Sequence, residues 1–176
     1  WEGGGLDVTS VSRLVSRVLV QENQGSGFAS PFDVAQTSRY RRQYFVRAAD
    51  INGNGRPGLL TRSFVGSSYR LLWYENQKGP RGPSQEAELV ANLGFFNDLT
   101  DFDLNEDGRQ DLLVTSPDTL YKIINRGSGE FSPPIPTEIT PGFLKKADLN
   151  GDGLEDLILN GRDALAWIPN RDGSLG

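Results

Sequence analysis

Short apolar runs, broken by Gly, Asn and Pro, recur along the whole chain. FVRAAD (45–50) and FLKKAD (143–148) read as strands that each lead into an acidic stretch. GLLTR from Gly58, DLLVT from Asp111 and DLILN from Asp156 follow as apolar runs of β length. YRLLWYE from Tyr69, TLYKII from Thr119 and ALAWIP from Ala164 come next, rich in aromatic and β-branched residues. A weaker outer segment closes each unit, as in SPPIPTEIT from Ser132, whose prolines suit an edge strand better than a central one. No stretch sustains a helical period, so the pattern predicts an all-β chain.

The order of these segments repeats. AADINGNGRPGLL from Ala48, DFDLNEDGRQDLLV from Asp101 and KADLNGDGLEDLIL from Lys146 align, with first acidic positions Asp50, Asp103 and Asp148 separated by 53 and 45 residues. A second signature follows each: LLWYENQKG, LYKIINRGSGEF and LAWIPNRDG, centred on Asn76, Asn125 and Asn170. RVLVQENQGSGF carries it once more, at Asn23. Several short strands in a unit of about 45 residues predict β-propeller-type repeats of four-stranded antiparallel blades. The expected arrangement is one repeat domain over 1–176, about four units with the first and last incomplete: 1–42 (partial), 43–94, 95–141 and 142–176 (partial).

Composition narrows the chemistry. The 176 residues hold no His, Cys or Met. Without His there is no His-based general base and no His-ligated zinc; without Cys there is no disulfide or thiolate site. The absent initiator methionine reads as a processed chain or an excised segment. A net charge of −5 disfavours nucleic acid as a partner. No apolar run approaches the roughly 18 residues of a spanning helix, so no membrane span is expected.

The acids gather in the repeated loops. Asp103, Asn105, Asp107 and Asp111 fall at loop positions 1, 3, 5 and 9, with Gly108 at 6. Asp148, Asn150, Asp152 and Asp156 do the same around Gly153. Oxygen donors at alternate positions can point into a curled loop, and Gly at 6 allows the sharp turn. Position 7, Arg109 or Leu154, would give a backbone carbonyl. All-oxygen donors favour a hard cation, and several carboxylates on a flexible loop favour Ca²⁺ over Mg²⁺. The competing reading is an Asx turn that holds no metal. An EF-hand is disfavoured, because position 12 is Val114 or Leu159 rather than Glu and no helices flank the loop.

DLNEDGRQDLLV and DLNGDGLEDLIL, with the WYENQKG and INRGSGEF segments, resemble the FG-GAP/VCBS repeat, the calcium-loop blade of integrin-α-like β-propellers. The resemblance implies that each loop joins the first two strands of a blade and binds one Ca²⁺, and that a closed ring has about seven blades. The loop from Asp50 departs from the pattern: Asp50, Asn52, Asn54 and Arg56 fill positions 1, 3, 5 and 7, but position 9 is Gly58. Two calcium sites are therefore expected and a third is degenerate, since each lost carboxylate weakens attraction to the ion.

The expected role is a non-catalytic extracellular or cell-surface module that recognises a protein or glycan. The alternatives are a self-assembling subunit, a homo-oligomer or filament built through exposed blade edges, and an accessory segment of a larger enzyme or toxin. The incomplete outer units leave three arrangements open: part of a longer propeller, a small closed ring, or copies that complete one another. Trp73 and Trp167 hold matching positions and read as packing residues rather than a sugar platform. Arg39, Arg41, Arg42 and Arg47, interleaved with Tyr40, Tyr44 and Phe45, read as a solvated or salt-bridged face.

Overall fold

The computed structural model describes residues 8–12, 17–21, 30, 32–36, 42–55, 57–65, 68–76, 84–90, 93–162, 164–171 and 174–175. Every regular element among them is a strand: β1 (Val8–Ser12), β2 (Arg17–Gln21), β3 (Phe32–Gln36), β4 (Arg42–Ala49), β5 (Gly58–Val65), β6 (Ser68–Asn76), β7 (Ser84–Val90), β8 (Asp98–Phe102) and β9 (Asp111–Thr115). Then follow β10 (Leu120–Ile123), β11 (Asn125–Gly127), β12 (Glu130–Phe131), β13 (Ile135–Pro136), β14 (Phe143–Ala147), β15 (Asp156–Asn160), β16 (Leu165–Ile168), β17 (Asn170–Arg171) and β18 (Ser174–Leu175). All pairings are antiparallel. Among the described residues no helix is long and apolar enough to cross a membrane. The all-β class expected from the apolar pattern is what the chain adopts.

The chain divides into two compact units, Trp1–Asp50 with Asn54–Leu93, and Ile51–Gly53 with Gly94–Gly176. The first holds a three-stranded sheet, β1-β2-β3, and a four-stranded sheet, β4-β5-β6-β7. In the second sheet Leu59, Leu60, Leu71, Leu72, Trp73 and Tyr74 are all buried. Consecutive buried residues on neighbouring strands mean that both faces are covered, which explains why these runs show no polar alternation. Arg62 stacks on Tyr69, 5.4 Å from the ring centroid.

The second unit holds the sheets β13-β10-β9-β8 and β14-β15-β16 and the hairpins β11-β12 and β17-β18. β9 is buried at all five positions. Residues paired across strands share a face, so Leu113 and Leu120 lie on one face of the first of these sheets. They form a cluster with Phe102 and with Leu144, Leu157 and Leu159 of the next sheet. The two sheets are thus packed face to face on leucine. β13 is an edge strand of two residues that pairs Ile135 with Lys122 and Pro136 with Tyr121, the place where a proline costs the ladder least.

Two polar ties cross between these sheets. The Leu144 amide donates to Asp98 Oδ2 at 2.9 Å. Lys146 Nζ lies 3.1 Å from Asp101 and 2.8 Å from Glu155, joining β8, β14 and the end of the last acidic loop. Burial alone would lower the Lys146 pKa, but the Glu155 hydrogen bond and the Asp101 charge outweigh it and raise the pKa above the ordinary lysine value. A raised pKa stabilises the fold below the unfolded-state value and loses that contribution as pH climbs through the folded value. Lys146→Met is therefore expected to cost about 1 kcal/mol at neutral pH. The difference from wild type should close above the ordinary lysine range, as read from urea midpoints across pH.

Candidate functional site

The three acidic loops share a backbone framework. Position 4 is left-handed in each: Gly53 (φ 68°), Glu106 (φ 59°) and Gly151 (φ 78°). Position 6 is left-handed as well: Gly55, Gly108 and Gly153. Glycine adopts this region without penalty, whereas Glu106 holds it at a cost of about 1–2 kcal/mol. In all three loops the position 1 carboxylate closes the turn. The amides of Gly55, Gly108 and Gly153 donate to Oδ2 of Asp50, Asp103 and Asp148 at 2.8, 2.9 and 2.9 Å.

The second and third loops share three further bonds and differ at Oδ1 of the first acid, which accepts from the Asp107 amide at 3.2 Å in one and from the Gly151 amide at 2.7 Å in the other. The Asp107 amide donates to Asn105 Oδ1 at 3.2 Å, and the Asp152 amide to Asn150 Oδ1 at 2.9 Å. The amides of Arg109 and Leu154 donate to Oδ1 of Asp107 and Asp152 at 2.9 and 2.8 Å. The Asn side-chain amides donate to Oδ2 of the same two acids. Asn105, Asp107, Asp148, Asn150 and Asp152 are exposed, Asp103 and Arg109 are half-buried, and Leu154 is exposed.

Position 9 differs from the rest. Asp111 and Asp156 are fully buried. Asp111 Oδ2 accepts from the Leu104 amide at 3.0 Å and Oδ1 from the Asn125 amide at 2.7 Å. Asp156 accepts from the Leu149 and Asn170 amides at 3.0 and 2.9 Å. Each carboxylate thus clamps the start of its own loop to the hairpin that follows the third strand. The Asn returns the contact, with Nδ2 of Asn125 and Asn170 donating to the carbonyls of Gln110 and Glu155. Asn125 also donates to the Ile51 carbonyl at 2.7 Å and accepts from the Gly127 amide at 2.9 Å. The recurring Asn was visible in the sequence, but only as a turn marker. The constant 14-residue interval from Asp111 to Asn125 and from Asp156 to Asn170 was the signal for this lock.

The two position 9 acids titrate in opposite directions. Burial pushes Asp111 up and the negative charges of Asp107 and Asp103 push the same way; together they outweigh the amides of Asn125 and Leu104, so its pKa is raised. For Asp156, loss of water again acts upward. The amides of Asn170 and Leu149, the Trp167 indole and the Asn150 amide outweigh it and lower the pKa. Asp107 is lowered too: some desolvation acts upward, but the Arg109 amide, the Asn105 side chain and the Arg109 guanidinium prevail.

As a donor set for a cation, each of the two complete loops brings three carboxylates, an amide carbonyl and a backbone carbonyl, all oxygen. That chemistry suits a hard ion. A carboxylate accepts at about four lone-pair sites, so Asp103 and Asp148 keep acceptor capacity beyond their amide bonds. Among the described residues, however, no three acidic side chains are gathered into a metal cage. The turns are held by amides as they stand, and an ion would draw the exposed acids inward.

The first loop shows why its ninth residue is glycine. A Cβ on Gly58 would lie 2.5 Å from Trp73 Nε1 and 2.6 Å from the Tyr74 carbonyl oxygen. Trp73 is buried, paired with Ala87 of β7, and its indole nitrogen has no hydrogen-bond partner among the described residues. In the last repeat the matching Trp167 is among the groups that lower the Asp156 pKa. Asp50 and Asn54 are tied together at 3.1 Å, Asn52 is half-buried, and Arg56 lies outside the described residues. So do Arg39, Tyr40 and Arg41 of the Arg-rich segment and the first signature at Asn23.

No family profile matches the chain. No curated protein matches it. Among solved structures the chain is similar to a lectin from Agrocybe aegerita, described for its recognition of non-reducing terminal N-acetylglucosamine. The identity is 15% and the TM-score 0.44, over 96% of this chain and 64% of that one. The chain therefore spans less than two thirds of that protein's length. A likeness of this size carries no argument about fold or ligand.

Two substitutions test the framework. Asn125→Ala strands several buried backbone groups and is expected to cost about 2–4 kcal/mol, against about 1 kcal/mol for Asn170→Ala with its single long bond, by chemical denaturation. Gly58→Asp, which rebuilds the acidic pattern on paper, is expected to destabilise by about 1–3 kcal/mol through overpacking against Trp73 and Tyr74. A gain in thermal midpoint, with or without calcium, would contradict that account.

Proposed function

We propose that the chain is a non-catalytic, calcium-stabilised module of β-propeller-type repeats of the FG-GAP/VCBS kind, acting outside the cell in recognition of a protein or glycan. The observation that carries this reading is the shared hydrogen-bond framework of the loops at Asp103 and Asp148 within one unit. Two loops 45 residues apart keep the same donors, the same left-handed positions and the same buried acid. Asx turns need only the first acid. The carboxylates of Asp103 and Asp107 repel Asp111, and a bound cation relieves that repulsion.

In this reading Asp103, Asn105, Asp107, Asp111 and the Arg109 carbonyl hold one ion. Asp148, Asn150, Asp152, Asp156 and the Leu154 carbonyl hold the other. The loop of Asp50, Asn52, Asn54 and Arg56 has a single carboxylate and holds an ion weakly at best. The ion supplies charge neutralisation and cross-linking of the loop, not chemistry on a substrate. The non-catalytic part of the reading rests on the acids themselves. Asp111 and Asp156 are buried and each is held by two amides, which leaves neither poised as a proton donor or acceptor for an outside molecule.

Calorimetry with and without a chelator tests this. A site held at 100 times its dissociation constant adds about 2.7 kcal/mol, so saturating calcium is expected to raise the thermal midpoint by about 5–10 °C per site. Asp107→Asn together with Asp152→Asn should abolish most of that gain while keeping the chelated midpoint. An unchanged midpoint on chelation of the wild type would sink the calcium reading.

A further inference from the structure

The loops at Asp103 and Asp148 part company at position 7, where one has Arg109 and the other Leu154. Their backbones act alike there: each position 7 amide donates to Oδ1 of the position 5 acid, at 2.9 and 2.8 Å. The side chains do not. Leu154 is uncharged and 40% exposed. The Arg109 guanidinium turns back on its own loop and pairs with Asp107 Oδ2.

Arg109 is also held from behind. Its Nε donates to the Asn125 carbonyl at 3.3 Å, and its stem lies along the β11-β12 hairpin, where a Cβ on Gly127 would meet Cδ and Nε at 3.7 and 3.8 Å. Asn125 is itself fixed, since its amide donates to the buried Asp111 at 2.7 Å and its Nδ2 to the Ile51 and Gln110 carbonyls. The guanidinium is thus placed by the hairpin as well as by Asp107. A side chain anchored in this way loses less freedom when it forms an ion pair than one that swings from a bare stem.

The position 5 acids are therefore occupied to different degrees. Asp107 accepts from the Arg109 amide, from Asn105 Nδ2 at 2.9 Å and from the guanidinium. Asp152 accepts from the Leu154 amide and from Asn150 Nδ2 at 2.7 Å. Of the roughly four lone-pair sites on a carboxylate, Asp107 keeps about one and Asp152 about two. Charge acts in the same direction. A guanidinium on Asp107 repels a divalent ion that approaches the same oxygens, whereas among the described residues no cation pairs with Asp152. We propose that Arg109 is a tethered competitor for the cation, so that the second loop takes Ca²⁺ more weakly than the third.

The proposal rests on the calcium reading and ranks its two sites. Isothermal titration of calcium into the chelator-stripped whole chain, at low ionic strength, tests it. Two ions are expected, one bound about tenfold more weakly than the other, a gap that narrows as added salt screens the guanidinium. Asp152→Asn should remove the tighter site and leave the weaker. Arg109→Leu, which copies the third loop, should tighten the weaker site about tenfold, and Arg109→Gln should do the same should the first variant misfold. In chelator, Arg109→Leu should lower the thermal midpoint, because Asp107 is then left beside Asp103 and Asp111 with no cation. A second loop that binds as tightly as the third, or affinities unchanged by both Arg109 variants, overturns the competition while calcium binding itself stands. Absence of binding at both loops overturns the calcium reading, and the competition with it.

Discussion

A buried carboxylate that accepts from two backbone amides holds each complete repeat together. Asp111 and Asp156 begin the second strand of their sheets, fully out of water, and each fastens its own loop to a later hairpin. Without partners, a buried ionised group is prohibitively costly, so the amides are a condition of its burial. The loop, the strand it feeds and the hairpin after the third strand are thereby fixed as one piece. The returning contact from Asn125 or Asn170 serves the same lock, whereas the left-handed positions 4 and 6 recur in the first loop, where Gly58 stands in place of the acid.

The strands that grow from these anchors carry leucine on one face for the neighbouring sheet. Asp98 and Lys146 cross between the sheets with polar contacts at the periphery of the Leu113–Leu144–Leu157–Leu159 cluster. Leucine supplies the non-directional attraction and the two polar ties supply registration, because a hydrogen bond or ion pair has a direction that apolar contact lacks. The division of labour explains why the runs DLLVT and DLILN look interchangeable in sequence while their surroundings differ. β9 is buried on both faces, whereas β15 has Ile158 on a face that its neighbours leave open.

Much of this was legible in the sequence. Apolar runs of β length, the absence of a helical period and the Gly- and Asn-rich turns point to an all-β chain, and the acidic spacing locates the loops to the residue. What could not be read was the assignment of each oxygen. Spacing says that Asp103, Asp107 and Asp111 lie on one turn, but not that Asp111 alone is buried while Asp107 lies exposed beside Arg109. Burial depends on the hairpin brought back by Asn125, a contact 14 residues away that no local propensity encodes. The unlike titration of Asp111 and Asp156 was equally hidden, since it depends on how far burial and the charges of Asp107 and Asp103 outweigh the donors around each carboxylate.

The glycine at position 58 has a consequence for how the first loop can change over time. Trp73 packs close to where a position 9 side chain would begin, and its indole N–H has no acceptor among the described residues. Restoring the carboxylate alone meets a steric barrier, and removing the tryptophan alone leaves a void in the sheet. Each single step lowers stability, and only the two changes together with a local backbone shift reach the arrangement of the other loops. The loss of that acid therefore works as a ratchet: the repeat is free to drift further from its siblings and is held back from returning to them.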